Sequence, residues 1–396
     1  MVGHGGHPVY GAQDTTIFSV MNALAARHGA INLGQGFPDE DGPAAIRAAA
    51  ARALLDGPNQ YAPLTGMAVL RKAVAAHAKR FYDLDLDAGC EILVTAGGTE
   101  ALAASLTGLI APGDEAVIVE PAYDSYRPVL EAAGAQVKAV RLEAPSFKLE
   151  EAALAAAFSP RTKLVVVNGP LNPVGRVFGF AELEMLAGFI KRNDAFAVCD
   201  EVYEHLVFDG AAHIPLMTLP GMFERCLRIG SAGKIFSLTG WKIGWVAGPA
   251  PLIAAVTKVH QFLTFTVSPA LQIGIAHGLE HEMDFTLSLT HALQKKRDRL
   301  AGIMAPLGFE ALPCEGTCFL TARTGDLTGE PDRAFCERLA REARVALIPL
   351  SPFYGTDGPT DLVRFAFCKN PENLGDAITR LENYFLPAAA KRIMGK

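Results

Sequence analysis

Five short polar segments of the sequence carry residues that could do chemistry, and each directly follows an apolar run. The segments are 96–99, 120–123, 168–173, 200–203 and 231–234. Taken singly, each one is also explained by a turn, a helix cap or a packed aromatic residue. Taken together, they supply a lysine, a carboxylate, amide and phenol groups and a pair of glycines, which predicts one polar site assembled from several loops.

The first and last of these segments favour binding of a phosphate group. Gly98 and Thr99, preceded by a second glycine, stand before a predicted helix. Their backbone N–H groups are therefore open to an anion, and the helix dipole adds to the attraction. Ser231 could add a hydroxyl group and Lys242 a cation, so we expect a phosphate-bearing ligand here.

Other motifs for phosphate binding or acyl transfer fit less well. A Walker A loop ending at Lys234 would need glycine where Arg228 stands. The Gly-Gln-Gly run at 34–36 is followed by Asp39 at the position where a dinucleotide-binding fingerprint needs a third glycine. The Ser-x-x-Lys spacing of Ser231 and Lys234 also occurs in serine acyl-transferases of the penicillin-binding type. Their accompanying Ser-Asp-Asn and Lys-Thr-Gly elements are absent from the sequence.

A lysine, an aspartate and a phosphate pocket at strand ends point to pyridoxal 5'-phosphate. This cofactor needs a lysine for the Schiff base and a carboxylate that keeps its pyridine nitrogen protonated, so that the ring acts as an electron sink. Lys234 and Asp200 can fill these two roles. Tyr203 and Asn172 could hydrogen-bond the phenolic oxygen of the ring, and Tyr123 could stack on its face.

The elements around these segments predict a mostly parallel sheet. Short apolar runs alternate with amphipathic segments such as 181–191, which is the pattern of βαβ units whose strands are buried on both faces. The predicted strands are 92–95, 116–119, 136–140, 164–168, 196–199 and 227–229. In such sheets ligands bind beyond the carboxyl ends of the strands, where the polar segments lie.

The last hundred residues follow a different pattern, which predicts a second, α+β domain. Its predicted elements are the helices 286–305 and 332–342 and the strands 318–321 and 362–367. The length of 396 residues also fits two domains. We predict an α/β large domain over 46–284 and a smaller α+β domain built from both chain ends, 1–45 and 285–396.

Composition narrows the functional classes. The formal net charge of −6 does not fit a nucleic-acid-binding face. No apolar run reaches the roughly 18 residues of a membrane span, and residues 1–14 lack the features of a secretory signal. Seven scattered cysteines without CxxC spacing indicate reduced thiols. These features predict a cytoplasmic protein without nucleic-acid or membrane partners.

The sequence resembles the class I/II aminotransferases, enzymes of fold type I that depend on pyridoxal phosphate. Seven motifs in the family's order, spanning nearly the whole chain, carry the resemblance. They are Asn-Leu-Gly-Gln-Gly-Phe-Pro-Asp at 32–39, Asn-Gln-Tyr-Ala-Pro at 59–63, Gly-Thr-Glu-Ala-Leu at 98–102, Asn-Pro-Val-Gly at 172–175, Asp-Glu-Val-Tyr-Glu at 200–204, Gly-Lys at 233–234 and Thr-Gly-Trp-Lys-Ile-Gly-Trp at 239–245. The first motif and Tyr-Glu-His-Leu at 203–206 are similar to the kynurenine, glutamine and methionine aminotransferase branch.

The resemblance implies a role for each matching residue. Lys234, Asp200 and Tyr203 would be catalytic, with Lys234 forming the Schiff base and carrying the proton. Arg364 would hold the substrate α-carboxylate, helped by Gly36 and Asn172. The implied cofactor-binding residues are Gly98, Thr99, Tyr123, Asn172, Asp200, Tyr203, Ser231, Lys234 and Lys242, joined by Tyr61 from the neighbouring subunit of a homodimer.

Some assignments have open alternatives. Arg364 could instead form a strand-end salt bridge, and Tyr61 could be a packed core residue. Lys242 stands where many relatives carry arginine, so it offers the phosphate a point charge in place of a planar fork. His277 and His281 stand four apart on a predicted helix, but no third ligand is near in sequence, so we predict no metal site.

The implied reaction moves an amino group from an L-amino acid to a 2-oxo acid. Six aromatic residues are candidates to line a side-chain pocket, which favours methionine-, aromatic- or glutamine-like donors: Phe18, Tyr61, Phe262, Phe265, Phe353 and Tyr354. Succinylated diaminopimelate enzymes resemble the same branch, which leaves a polar donor open. A carbon–sulfur β-lyase is the alternative reaction, because it begins with the same α-proton abstraction. A cofactor-binding sensor fits less well, since such regulators carry a DNA-binding segment ahead of this fold.

Overall fold

The computed structural model describes residues 6–386, and its elements are numbered here in chain order. The strands are β1 Ile31–Asn32, β2 Ile92–Thr95, β3 Glu115–Glu120, β4 Gln136–Arg141, β5 Thr162–Asn168, β6 Phe196–Asp200, β7 Cys226–Ser231, β8 Gly244–Ala247, β9 Glu310–Ala311, β10 Phe319–Arg323, β11 Val345–Ala346, β12 Ile348–Pro349 and β13 Leu362–Ala366. The helices are α1 Pro8–Gly11, α2 Ile17–His28, α3 Ala44–Asp56, α4 Ala68–Tyr82, α5 Gly97–Leu109, α6 Tyr126–Ala132, α7 Glu151–Ala157, α8 Phe180–Arg192, α9 Ala232–Ile235, α10 Ala250–Leu263, α11 Pro269–His281, α12 Met283–Met304, α13 Asp332–Glu342 and α14 Pro371–Phe385.

A seven-stranded sheet in the order β2-β8-β7-β6-β5-β3-β4 forms the centre of the fold. β8 runs antiparallel to both of its neighbours, and every other pair is parallel. The chain therefore has the predicted α/β architecture of fold type I, with a mostly parallel sheet. β5 and β6 lie side by side with Asn168 opposite Asp200, which brings two of the predicted polar segments together at one edge.

Both faces of this sheet are buried, as the apolar strand sequences predict. In β5, Val165 and Val167 belong to one core cluster, whereas Leu164 and Val166 belong to a second cluster on the opposite face. Helix α8 places Leu183, Leu186, Ala187 and Ile190 in the first cluster. Packing on both sides fixes the strands, and hence the loops at their carboxyl ends.

A second, four-stranded antiparallel sheet in the order β12-β13-β10-β9 lies in the C-terminal part of the chain. The N-terminal segment joins this part through β1, which pairs in parallel with β11. This pairing fits a small domain made from both chain ends, although the boundaries 45/46 and 284/285 stay predictions. The second boundary falls inside helix α12.

Most predicted elements differ from the observed ones by one to three residues at an end, and 92–95 and 332–342 match in full. Strand β8 was not among the predicted strands. It has four residues and begins at Gly244, so it carries no extended apolar run. Across residues 6–386, no helix combines the length and apolar character needed to cross a membrane.

Candidate active site

A cavity of about 250 Å³ lies at the carboxyl edge of the large sheet, and we call it the inner cavity. It is lined by nine of the ten residues predicted to bind the cofactor. These are Gly98, Thr99, Tyr123, Asn172, Asp200, Tyr203, Ser231, Lys234 and Lys242. Segments far apart in the chain thus meet because their strands end at the same edge of the sheet.

One end of the inner cavity has the chemistry of an anion site. Helix α5 begins there at Gly97, and no side chain caps its first N–H groups. Gly97 has a φ of +77°, a left-handed conformation that suits glycine. A Cβ at this position would lie 3.5 Å from Lys242 Nζ, so the ammonium group lies close to the helix start. Thr99 and Ser231 add hydroxyl groups to the same wall.

The other end holds a buried carboxylate. Asp200, the last residue of β6, is 5% exposed, and Tyr126 Oη donates a hydrogen bond to its Oδ2. Burial raises the pKa of Asp200, whereas this hydrogen bond acts in the opposite direction. Within residues 6–386, Asp200 has no salt-bridge partner; the positive charge that acts on it is that of Lys234. A protonated ring nitrogen would supply the missing partner charge.

Two asparagines fix the loop after β5. Asn168 Nδ2 donates to the backbone oxygen of Asp200 at 2.8 Å, and Asn168 Oδ1 accepts from the Asn172 backbone N–H at 2.8 Å. Asn172 is consequently held beside the carboxylate and lines the cavity. Its own side-chain oxygen accepts a hydrogen bond from Arg364. The loop therefore connects the cofactor end of the site to the predicted substrate end.

Lys234 lies between the inner cavity and a second, outer cavity. It belongs to the short helix α9, and its Nζ donates to the Gly36 backbone oxygen at 3.1 Å. The Nζ atom lies 5.3 Å from the centre of the Tyr203 ring. An amine in this position can reach a group bound on either side of it.

The outer cavity, of about 460 Å³, shares Tyr123, Asn172, Tyr203, Lys234 and Thr239 with the inner one. Its other lining residues are Thr16, Phe18, Gln35, Gly36, Phe37, Asp124, Phe319 and Arg364. Glycine is required at position 36, since a Cβ there would lie 2.3 Å from the Phe319 ring.

Arg364 is fully buried and forms no salt bridge among the described residues, and the carboxylate that acts on it from a distance is Asp124. It donates to Asn172 Oδ1 at 2.9 Å and to the Gly34 backbone oxygen at 2.5 Å, while its buried Nε has no partner. The guanidinium carbon lies 3.9 Å from the centre of the Phe319 ring. Burial lowers the pKa of Arg364 to about 10, so it stays charged at neutral pH. This environment contradicts the alternative of a strand-end salt bridge.

The outer cavity carries several aromatic rings, the polar side chains of Thr16 and Gln35, and one carboxylate. Phe18, Phe37 and Phe319 contribute rings, and burial raises the pKa of Asp124. Apart from Lys234, Arg364 is the one basic residue in the described lining. When a ligand carboxylate pairs with Arg364, the described lining offers no further cation, apart from Lys234, to a second acidic group of the ligand.

Some of the proposed residues lie elsewhere. Tyr61 is 83% exposed, which contradicts a packed core position, and it does not line the inner cavity of its own chain. Phe262 and Phe265 are also exposed, so in one chain they form no pocket. Phe353 packs edge-on against Phe18, behind the cavity wall. Tyr354 donates to the Leu142 backbone oxygen and lines neither cavity, so its proposed pocket role is not supported.

Several residues of the site were absent from the predicted set. Tyr126, Asn168, Thr239 and Phe319 contact the predicted residues or line the cavities. Asn168 lies in the polar segment 168–173 and Thr239 in the motif 239–245, so the sequence pattern could have identified both. Tyr126 and Phe319 depend on packing between distant elements, for which the sequence spacing offers no signal.

The residues of the inner cavity fit pyridoxal phosphate at both of its ends. One end has an anion site at a helix start, and the other has a buried carboxylate without a salt-bridge partner. With a lysine between them on a mostly parallel sheet, fold and site define a pyridoxal-phosphate-dependent enzyme of fold type I. Residues 28–381 match the family model of aminotransferases of class I and II, and the chain belongs to this family. It is a pyridoxal-phosphate-dependent transaminase.

Named relatives agree with this assignment. The chain is 44% identical to the probable N-succinyldiaminopimelate aminotransferase of Mycobacterium tuberculosis (strain CDC 1551 / Oshkosh), covering 93% of this chain and 95% of that protein. Identity to the methionine aminotransferase of Escherichia coli (strain K12) is 41%, with the same two coverages. The solved structure of the N-succinyldiaminopimelate aminotransferase from Mycobacterium tuberculosis superposes with a TM-score of 0.93, at 43% identity, over 96% of this chain and 100% of that one.

Proposed function

We propose that this transaminase prefers L-amino acid donors with neutral side chains of the methionine, aromatic or glutamine type. The observation that supports this preference is the outer cavity, with three phenylalanine rings, one carboxylate and Arg364 as its cation beside Lys234. The substrate α-carboxylate uses Arg364, so a second carboxylate would be buried next to Asp124 without a partner. An unpaired buried charge is strongly disfavoured.

In this proposal each residue of the site has a defined role. When bound, pyridoxal phosphate supplies a ring that withdraws electrons from the substrate α-carbon. Gly98, Thr99, Ser231 and Lys242 hold its phosphate, and Tyr123 stacks on its face. Asp200 keeps the ring nitrogen protonated, and Tyr203 with Asn172 holds the phenolic oxygen.

On the substrate side, Arg364 orients the α-carboxylate, helped by Asn172 and the backbone at Gly36. This orientation would present the substrate α-proton to Lys234. Lys234, which lines both cavities, would hold the cofactor and carry the substrate α-proton at its Nζ atom.

The same preference for neutral side chains applies to the 2-oxo acid acceptor, because donor and acceptor occupy one site in turn. We infer that neutral 2-oxo acids are better acceptors than 2-oxoglutarate. Of the named relatives, one acts on methionine and the other on N-succinyldiaminopimelate, which carries additional carboxylates. The absence of a second cation in the described lining of the outer cavity supports the methionine-like alternative.

We also propose a homodimer with shared active sites. Tyr61, Phe262, Leu263 and Phe265 form an exposed apolar surface, and the Tyr61 and Phe265 rings meet edge-on at 5.4 Å. Burial of this surface against a second copy, with Tyr61 reaching the phosphate of the partner site, explains the exposure of four large apolar side chains. A cytoplasmic location is part of the proposal, supported by free cysteines throughout the described chain.

A donor panel tests the substrate class. Initial rates should be measured with methionine, phenylalanine, glutamine, glutamate and N-succinyldiaminopimelate, each with neutral and dicarboxylic 2-oxo acids. The proposal expects kcat/KM for the first three to exceed that for glutamate by at least tenfold. Equal rates with glutamate or a preference for the succinylated donor would overturn it. Release of pyruvate and ammonia from a cysteine conjugate without any 2-oxo acid would instead indicate the β-lyase reaction.

A further inference from the structure

We propose that His77, Glu204 and His205 form a binding site for a divalent transition metal of the zinc type, separate from the cofactor cavity. His77 lies on helix α4, and the other two residues follow Tyr203 in the loop after β6. Their sequence separation hides the cluster from motif analysis, which predicted no metal site. Two imidazoles and one carboxylate are a donor set that zinc uses in sites with an open fourth position.

The geometry brings three ligand atoms together. One nitrogen or oxygen from each residue lies within 4.8 Å of the others. The two histidine Nε2 atoms are 2.7 Å apart, and His205 Nε2 is 3.8 Å from Glu204 Oε2, the carboxylate oxygen that Arg228 also contacts. Ligand atoms around zinc lie roughly 3.3 Å apart, so the two nitrogens would separate by about half an ångström to admit the ion.

Burial and incomplete hydrogen bonding indicate that the cluster can accept a ligand. His77 is 3% exposed and Glu204 2% exposed. Glu204 Oε1 is buried and accepts no hydrogen bond, and the Tyr82 hydroxyl group lies beside the same carboxylate. Buried polar atoms are normally paired, so this carboxylate oxygen calls for an explanation. A metal ion beside it would provide one.

The fixed charges around the cluster favour a cation. Arg228 is buried and bonds both Glu201 and Glu204 through its Nε and Nη2 atoms. One guanidinium thus faces two carboxylates. His213 Nε2 lies 3.1 Å from Glu201 Oε2, so with neutral imidazoles one negative charge is left uncompensated in the interior. Arg228 contacts Oε2 of Glu204, so Oε1 stays available to a metal. Pairing with a cation is what a buried charge requires.

An entry route exists on one side of the cluster. A cavity of about 360 Å³ is lined by Glu204, His205, His213 and His291, and it is distinct from the inner and outer cavities. Phe81 lines the same cavity, and its ring packs against both histidine rings, at 4.9 Å from His77 and 4.7 Å from His205. Glu204 and His205 therefore face the cavity, whereas His77, which is 3% exposed, does not line it.

Calorimetric titration of the chelator-treated holoenzyme with zinc alone tests the site. The background protein should carry His281→Ala, because His277 and His281 form a half-exposed surface pair with ring centres 4.8 Å apart. We expect one zinc ion per chain. His77→Gln should weaken its binding at least tenfold, as should Glu204→Gln. Cobalt bound in place of zinc should give visible absorption bands that are lost in the same variants.

His291→Gln is the matched control, since His291 lines the same cavity outside the cluster. It should leave the zinc affinity within about twofold of the background protein. Cofactor absorbance and the melting temperature without metal show whether each variant is folded. If Glu204→Gln, in the loop after β6, does not fold, His77→Gln on helix α4 tests the metal site by itself. The proposal is overturned if the background protein binds no stoichiometric zinc, or if His77→Gln binds it equally well. Neither readout depends on the substrate of the transaminase.

Discussion

The hydroxyl group of Tyr126 donates a hydrogen bond to Asp200 Oδ2 over 2.5 Å, and both side chains are buried. Burial, together with the charge of Asp200, raises the pKa of Tyr126 well above its usual value, so the phenol stays a donor. For Asp200, burial raises the pKa and the bond from Tyr126 opposes that rise. We therefore predict that Tyr126 is a positioning residue, which orients Asp200 and favours its ionised form.

Tyr126→Phe should slow the reaction without abolishing it. Loss of this bond leaves a buried carboxylate oxygen short of a donor, at a cost of ~1–3 kcal/mol. If the cost falls on the ionised form of Asp200, kcat drops roughly 5- to 150-fold. Because the pKa of Asp200 rises further in the variant, the acid limb of the kcat profile should move to higher pH. Rates measured from about pH 5 to pH 9 give both quantities.

Tyr354→Phe is the control for this substitution. Tyr354 is also buried and its hydroxyl donates to the Leu142 backbone oxygen, but it lines neither cavity. The variant should lose stability of order 1 kcal/mol and keep kcat within about twofold. Equal losses of kcat in both variants, without a shift of the pH profile, would show that Tyr126 has a structural role alone.

The sequence predicted the parts of the site that depend on local pattern. Strand ends, glycine turns and motif spacing placed nine cofactor residues at one edge of the sheet, since a buried parallel strand leaves few choices for the loop that follows. Tyr126 was missed because its partner Asp200 lies 74 residues away and meets it through packing across the sheet. A tyrosine three positions after Tyr123 has no distinguishing pattern.

Other features escaped prediction for similar reasons. β8 is inserted antiparallel between β2 and β7, an arrangement that βαβ periodicity does not reveal. His77 and His205 are 128 residues apart, so their contact depends on how helix α4 packs on the loop after β6. Exposure of Tyr61, which distinguishes an interface residue from a core residue, is likewise a property of the folded chain.

Arg364→Lys should lower kcat/KM for every amino donor by a similar factor. A guanidinium holds a carboxylate through two parallel hydrogen bonds, whereas an ammonium offers a point charge. The loss of a charge-assisted two-point contact is on the order of 2–4 kcal/mol, or very roughly 30- to 1,000-fold. Cofactor absorbance should stay normal. Steady-state kinetics with methionine, phenylalanine and alanine provide the comparison.

Arg141→Lys serves as the control for Arg364, since Arg141 stacks on Tyr354 near the surface and lines neither cavity. It should leave kcat/KM within about twofold for all donors. A loss in Arg364→Lys confined to one class of donor would mean that Arg364 binds the side chain and another group holds the α-carboxylate.

Asp124→Asn should raise activity toward acidic donors relative to neutral ones. Asp124 is the carboxylate of the outer cavity, and its burial raises its pKa. In its ionised form Asp124 repels a second carboxylate, and removing a like charge in a partly buried site is worth about 1 kcal/mol, roughly fivefold. The ratio of kcat/KM for glutamate to that for methionine should therefore rise about fivefold. Asp357→Asn, at an exposed position outside the cavity, should leave the ratio unchanged. An unchanged ratio in Asp124→Asn would remove this residue from substrate selection.

Hybrid dimers of Lys234→Ala and Tyr61→Phe test whether the sites are shared. Lys234→Ala alone should have no transaminase activity, and Tyr61→Phe alone should be weak at low cofactor concentration because the phosphate loses one donor. If Tyr61 serves the partner site, each hybrid has one site with both substitutions and one intact site. Random mixing of co-expressed chains makes half of the dimers hybrids, so about a quarter of all sites should regain wild-type activity at limiting pyridoxal phosphate. If each chain supplied its own Tyr61, no hybrid site would be intact, and the mixture would show at most half the activity of Tyr61→Phe. Sedimentation of a fully active monomer at assay concentration would exclude sharing altogether.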